Sequence, residues 1–331
     1  MFTALNVGNC STTGNTSPVT CNIEPGLIQY KILAPIGTVV PNTALASPAT
    51  LLAYIVTRLT DDNRATRWFL TPPLDSFKDN TDADKTEQRD SYKLGTDKGK
   101  YNWEYRMKCL KCDHSNMLNF HQQQSKYGTF DIDDQGNFIG TKAVDSTGKQ
   151  GVGVFAQAQI WVADYKQRKY GANNEYWISF QAIDNRQYNQ NMAAVAANVV
   201  VPSLAWSGLA DVTLVDLTAT VTPGANLAAI GGTLACGAAF LAETYGSTLA
   251  AAGAWKVYDD TADPTHATPI VPASVTYVPP VGSSPAYYKF AFTVAPTATH
   301  VYSFQLAAPS VLLATPYFAN IISETAVTHT F

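Results

Sequence analysis

The chain has 331 residues, of which 46% are hydrophobic and 15% charged, with a formal net charge of −4 and a pI near 5.7. That length exceeds what one hydrophobic core usually serves, so two compartments are expected, and the composition excludes a disordered polymer. The mild acidity argues against a surface that grips nucleic acid by neutralising phosphates.

The first residues, Met1-Phe2-Thr3-Ala4-Leu5-Asn6, carry no basic segment ahead of an apolar stretch. No apolar run approaches a membrane span, so the expectation is a protein soluble where it is made, with no membrane partner. The cysteines, Cys10, Cys21, Cys109, Cys112 and Cys236, are odd in number and irregularly spaced. This pattern fits reduced thiols in a cytoplasm better than a disulfide framework. Charge is uneven: residues 201–331 contain only Lys256 and Lys289 as cations and are net −5, leaving +1 for residues 1–200.

Residues 1–50, rich in Thr, Asn, Pro and Gly, read as an arm with one strand at Leu27–Leu33. The dense apolar run Leu51-Leu52-Ala53-Tyr54-Ile55-Val56 predicts a first core strand. Residues 72–100 are charged and poor in apolar side chains, which predicts a long loop serving as an interaction arm. Tyr101, Trp103, Tyr105 and Met107 then alternate with polar residues, the period of a half-buried strand. A short helix is predicted over Asp113–Gln124, with Asp113 or Ser115 at its start.

The turn Asp133-Asp134-Gln135-Gly136 predicts a hairpin joining Tyr127–Ile132 to Asn137–Lys142. Long strands follow at Val152–Val162 and Tyr176–Ile183, with a charged connection at Asp164–Asn174. From about Trp206 the chain turns to Ala, Thr, Val, Pro and Gly. Strands are predicted at Val212–Val221, Trp255–Tyr258, Ser274–Tyr277, Tyr287–Val294 and Val301–Leu306, and an Ala-rich helix over Phe240–Ala252. That spacing points to an Ig-like β-sandwich.

Chemistry-bearing clusters are sparse. Cys109 and Cys112 with His114 and His121 have the first edge of a zinc tetrahedron, but the two histidines are too far apart for the usual second edge, so ordinary junction residues are the preferred reading. Asp131, Asp133, Asp134 and Asn137 surround Gly136 without the spacing of a calcium loop, which favours a polar hairpin tip. Gly151 and Gly153 open a strand, not a helix, so a bulge or close backbone approach explains them better than a dinucleotide loop.

Asp259-Asp260 sits in a turn where solvation is the default, and His266, His300 and His329 have no partner evident in the sequence. No nucleophile elbow, Walker loop or His-Glu-x-x-His occurs. The expectation is therefore no catalytic residues, no cofactor, no metal site and no enzyme. The aromatic residues Tyr101, Trp103, Tyr105, Phe155, Trp161, Tyr176, Trp177 and Phe180 would suggest a sugar site or protein interface if exposed, but core is the preferred reading because most lie on alternating strands.

The order of these features resembles the major tail tube proteins of tailed bacteriophages. The resemblance rests on Gly99-Lys100-Tyr101-Asn102-Trp103-Glu104-Tyr105-Arg106, on Cys109 and the following helix, and on the run from Phe130 to Lys142. It covers roughly residues 50–200. It implies a mainly β protein: an N-terminal arm (1–50), a tail-tube-like β-sandwich or barrel with one short helix (51–204) whose 72–100 loop reaches the neighbouring ring, and an Ig-like sandwich (205–331).

The implied function is that of a virion structural protein of the tail, made in the host bacterial cytoplasm, whose copies form stacked rings, commonly of six. Double-stranded DNA passes through the lumen without specific binding. Tape measure, terminator and baseplate proteins are implied partners, and host surface glycans are a possible ligand of residues 205–331. Two other readings stay open, a capsid or head-decoration protein and a carbohydrate-binding adhesin. A glycan hydrolase stands last, since no paired acids can be placed.

Overall fold

The structure, a computed structural model, describes residues 26–81, 85–89, 92–97, 99–108, 117–122, 124–163, 176–189, 191–196, 209–221, 226–234, 239–314, 317, 319, 321–323 and 325–331. The protein is mainly β, with several sheets and few short helices. It divides into two compact units. Unit 1 comprises Met1–Leu59 and Asn63–Trp206, and unit 2 comprises Thr60–Asp62 and Ser207–Phe331.

Unit 1 contains strands β1 (Ile28–Pro35) and β2 (Val39–Val40), helix α1 (Pro48–Leu59), then β3 (Phe69–Leu70), β4 (Leu74–Asp79), β5 (Lys85–Arg89), β6 (Tyr92–Asp97) and β7 (Asn102–Met107). It continues with β8 (Tyr127–Asp133), β9 (Asn137–Val144), β10 (Gln150–Gly153), β11 (Phe155–Val162), β12 (Tyr176–Ala182) and β13 (Met192–Ala196). The predicted hairpin is β8–β9, turned at Gly136 with φ +76°. The long strand at Val152–Val162 is broken at Val154 into β10 and β11.

Strand β8 organises the first layer. One edge pairs with β1 from Ile28↔Asp133 to Pro35↔Tyr127. The other edge is shared, Gly128 and Thr129 pairing with β11 and Asp131 and Ile132 with β9. After Ala156, β11 passes into a second layer ordered β11-β12-β7-β4, and a register irregularity at Gln157/Gln159 marks the crossing. Such a bulge turns a strand from one sheet into the next.

Strand periodicity assigns the faces of β1. Ile32 and Ala34 join Phe130, Ile132 and Phe138 in a core closed by Leu51, Ile55, Leu59 and Trp68. Leu33 points the other way, into a core with Leu74, Tyr105, Met107, Ile160, Ile178 and Phe180 of the second layer. Unit 1 is thus a helix on a sheet on a sheet.

Several expectations are corrected. Leu51–Val56 is not a strand but the middle of α1. Leu51, Ile55 and Leu59, spaced by four, are its fully buried face, and the run is equally apolar at either period. The start signal lies outside the run: the Ser47 hydroxyl accepts from the Thr50 amide at 3.2 Å while Thr50 Oγ1 accepts from the Ser47 amide at 3.0 Å, a reciprocal cap ahead of Pro48. The strand assigned to a 1–50 arm is interior, since β1 pairs with both β3 and β8.

The 72–100 segment is not a structureless loop; it supplies β4 and a β5–β6 hairpin. Of the helix predicted over Asp113–Gln124, the described part holds a 3₁₀ turn at Leu118–Phe120, and 109–116 lies outside the described residues. So does the connection at Asp164–Asn174.

Unit 2 contains β14 (Ala210–Asp216), β15 (Leu227–Leu234), β16 (Ala239–Phe240), β17 (Trp255–Asp259), β18 (Ser274–Val278), β19 (Tyr287–Ala291), β20 (Val301–Leu306), β21 (Ile321–Ile322) and β22 (Val327–Thr330). One sheet runs β18-β19-β15-β14-β21 with β16 beside β15, and the other runs β17-β20-β22. They share one core, where Trp255 meets Phe290 at 5.0 Å and Phe290 meets Phe304 at 5.0 Å. This is a β-sandwich.

The strand predicted over Val212–Val221 stops at Asp216, and Thr218–Val221 is a single helical turn. The strand predicted over Tyr287–Val294 stops at Ala291. The Ala-rich stretch is a short helix, Leu241–Tyr245, with 3₁₀ turns at Gly246–Leu249 and Ala252–Ala254. Strands β13 and β15 were not anticipated; Gly231-Gly232 inside β15 lowers its strand signal.

Candidate functional site

The two sheets of unit 1 separate at one end to leave a cleft of ≈ 660 Å³. One wall is the inner face of β4 and β7. Because β7 alternates, Trp103 and Tyr105 point that way, with Tyr101 just ahead of the strand and Phe77 from β4 joining them through the register Phe77↔Tyr105. Tyr101 stacks on Trp103 at 4.9 Å, and Tyr188 meets Trp103 edge-on at 4.5 Å while stacking on Phe155 at 4.1 Å.

Between the sheets lies a buried ion pair. Lys31 on β1 and Asp131 on β8 are direct cross-strand neighbours, and Lys31 Nζ donates to Asp131 Oδ1 at 2.7 Å. The ammonium also lies 4.9 Å from the Tyr105 ring centre and 5.1 Å from that of Phe180. Burial pulls the Lys31 amine below its ordinary value, with Asp131 acting against it. Burial, and then the Asp131 carboxylate, push the Tyr105 phenol well up. Burial does the same to Tyr188.

Asp131 Oδ1 serves Lys31, whereas Asp131 Oδ2 accepts no hydrogen bond among the described residues. Gln157 is also buried, and its Nε2 donates to Tyr188 OH at 2.8 Å while its Oε1 has no partner.

The Asp133–Gly136 turn is the expected polar hairpin tip, with Asp134 and Gln135 exposed and Asp133 turned inward. Asp133 is 2% exposed, and its carboxylate accepts from the amides of Gly26, Gln135 and Asn137 and from the Asn137 side chain. Asp134 accepts from the Leu27 amide at 3.1 Å. These oxygens are spent on fixing the entry of β1. Among the described residues, no group of three His, Cys, Asp or Glu is placed to hold a metal. Cys109, Cys112 and His114 lie outside the described residues, as do Cys10, Cys21 and Cys236. His121 is placed: its Nδ1 accepts from the Val162 amide at 3.2 Å and its ring lies 4.4 Å from that of Trp161.

The histidines of unit 2 do have partners, contrary to expectation. His300 meets Asp259 at 2.9 Å, His266 meets Asp260 at 2.9 Å and His329 meets Asp216 at 2.9 Å. Asp259 and Asp260 leave β17 with successive side chains committed, Asp260 also accepting from Ser303 Oγ at 2.7 Å. They are structural ties at a strand end rather than a solvated pair.

The aromatic residues divide. Tyr105, Phe155, Tyr176, Trp177 and Phe180 are buried, Trp161 is 44% exposed, and Tyr101 and Trp103 are half-buried at the cleft. Gly151 and Gly153 mark a close approach: a Cβ on Gly151 would lie 2.5 Å from the Val40 carbonyl oxygen.

The second feature is a set of strand edges. Among the described residues, β4 pairs only with β7, β13 only with β9, and β5 and β6 only with each other. No helix of the described residues is long and apolar enough to cross a membrane. No protein-family model, curated protein or solved structure matches the chain.

Proposed function

We propose that this chain is a non-enzymatic virion structural protein, the major tail tube subunit of a tailed bacteriophage, which polymerises as stacked rings around a DNA-conducting lumen. The observation that carries this reading is the β5–β6 hairpin, which leaves the second layer after β4 and returns to it at β7 without pairing to any other described strand. A lone two-stranded ribbon is marginal in water, and an open strand edge is a template for another chain. A second copy supplies both missing surfaces, and closure into a ring removes the edges. The resemblance over residues 50–200 gives the ring and its stacking, with tape measure, terminator and baseplate proteins as the corresponding partners. The balance of charge, with no excess of cations, suits a wall that passes DNA without holding it.

Electron microscopy of the purified full chain tests the proposal. Tubes of stacked rings are expected. A variant in which residues 82–98 are replaced by a short turn should stay folded, because β4 and β7 still pair through Phe77↔Tyr105 and Asn80 donates its amide to the Asn102 carbonyl at 2.8 Å. It should remain as dispersed subunits or single rings. Closed shells would favour a capsid or decoration protein, and normal tubes from the shortened variant would remove the hairpin's role.

A further inference from the structure

We infer that the cleft between the two sheets of unit 1 is a binding site for a neutral saccharide unit. Its volume, ≈ 660 Å³, lies within the range of small-molecule sites, roughly 300–1,000 Å³. A cleft of this kind needs apolar faces, a few fixed polar groups and rigidity, and each is present.

The apolar faces are aromatic. Phe77 is 53% exposed although it sits among rings, and the Tyr101–Trp103 stack stands beside it. Flat rings suit the C–H faces of a pyranose. The stack is clamped by Tyr188, so little side-chain freedom remains to be lost on binding.

The fixed polar group is Asp131. It is only 4% exposed, it lines the cleft, and its Oδ2 has no donor among the described residues. That oxygen opens on the cleft, so a ligand hydroxyl can donate to it there.

Charge selects the ligand class. The charged groups around the cleft are already engaged: Lys31 with Asp131 at 2.7 Å, Arg106 with Asp75 at 2.8 Å, Lys108 a further 3.9 Å from Asp75, and the Asp134 carboxylate with the Leu27 amide at 3.1 Å. A charged ligand would have to compete with these pairs, whereas a neutral polyol donates to Asp131 and leaves them intact. The site lies in unit 1, not in residues 205–331, and the inference does not depend on the tube reading.

The test is a titration of the full chain, kept as subunits, with maltose, lactose, cellobiose, chitobiose and rhamnose, read by tryptophan fluorescence and by protein NMR shifts. Choline and acetate serve as charged controls. Saturable binding of at least one sugar is expected, with shifts at Tyr101 and Trp103. Phe77→Ala, which removes an exposed ring, should weaken it by about ten-fold. Asp131→Asn should also weaken it; if that variant unfolds, Phe77→Ala carries the decision alone. No saturation by any of the sugars, unchanged affinity in folded Phe77→Ala, or tighter binding of choline or acetate than of every sugar would each overturn the assignment.

Discussion

Lys31 and Asp131 are 100 residues apart in sequence and 2.7 Å apart in space, joined across β1 and β8 with Lys31 entirely buried. Taking both charges out of water is expensive, and their attraction offsets this only while both are present. Asp131→Ala should therefore destabilise unit 1 by about 3–5 kcal/mol, by leaving an uncompensated ammonium. The double variant Lys31→Met with Asp131→Leu should recover most of that loss. Urea titration followed by the fluorescence of Trp68 and Trp177 measures both. A single variant costing less than about 1 kcal/mol would show that water reaches Lys31.

Alkaline stability follows from the buried phenols. Tyr105, Tyr188 and Tyr288 are all raised above the ordinary value of 10.0, chiefly by burial. A group raised in the folded state contributes stability that is complete below its unfolded pKa and is lost as pH climbs beyond it. Lys31 is lowered from 10.5, and so acts in the opposite direction. With these three and the half-buried Tyr245, also raised by burial, against one amine, net stability should fall as pH rises above about 10. Tyrosinate absorbance should then grow in step with loss of far-ultraviolet circular dichroism. Ionisation of every tyrosine well before unfolding would contradict the burial of these three.

Gly151 sets how closely β2 can lie on β10. A methyl group there would meet the Val40 carbonyl oxygen at 2.5 Å and Val39 Cγ1 at 2.9 Å. The carbonyl is backbone and cannot rotate away. Gly151→Ala should cost about 1–3 kcal/mol, the range for overpacking. Differential scanning calorimetry should show the unit 1 transition lowered and the unit 2 transition unmoved. An unchanged melting profile would mean that β2 is free to shift.

Particular elements show what was legible. The β8–β9 hairpin could be read because Asp133-Asp134-Gln135-Gly136 is turn chemistry and the flanks alternate. Strand β7 could be read because Tyr101, Trp103, Tyr105 and Met107 fall at a period of two. The run Leu51–Val56 was misread because nearly every residue in it is apolar, so neither period stands out, and the deciding signal was the Ser47–Thr50 cap just before it. The 72–100 segment looked like a loop because charged residues occupy it, yet β5 and β6 form from backbone pairing that does not need an apolar face.

The candidate site was half visible. Its aromatic wall stood in the sequence as β7, but whether those rings were core or cleft depended on what faced them. Asp131 was read as part of a hairpin tip, and nothing local connects it to Lys31. The histidine–aspartate ties of unit 2 span from 6 residues, for Asp260 and His266, to 113, for Asp216 and His329, so only the folded chain brings the longer ones together.

What the sequence alone determined is the class of the protein: period-two alternation and turn residues act between neighbours, and they specify strands and hairpins before any sheet exists. The tertiary structure decided which strand edges remain open, which face of β7 lines a cleft and which carboxylate meets the buried lysine. Those depend on segments far apart in the chain arriving side by side, and chain-distant contacts leave no periodic trace in a single sequence.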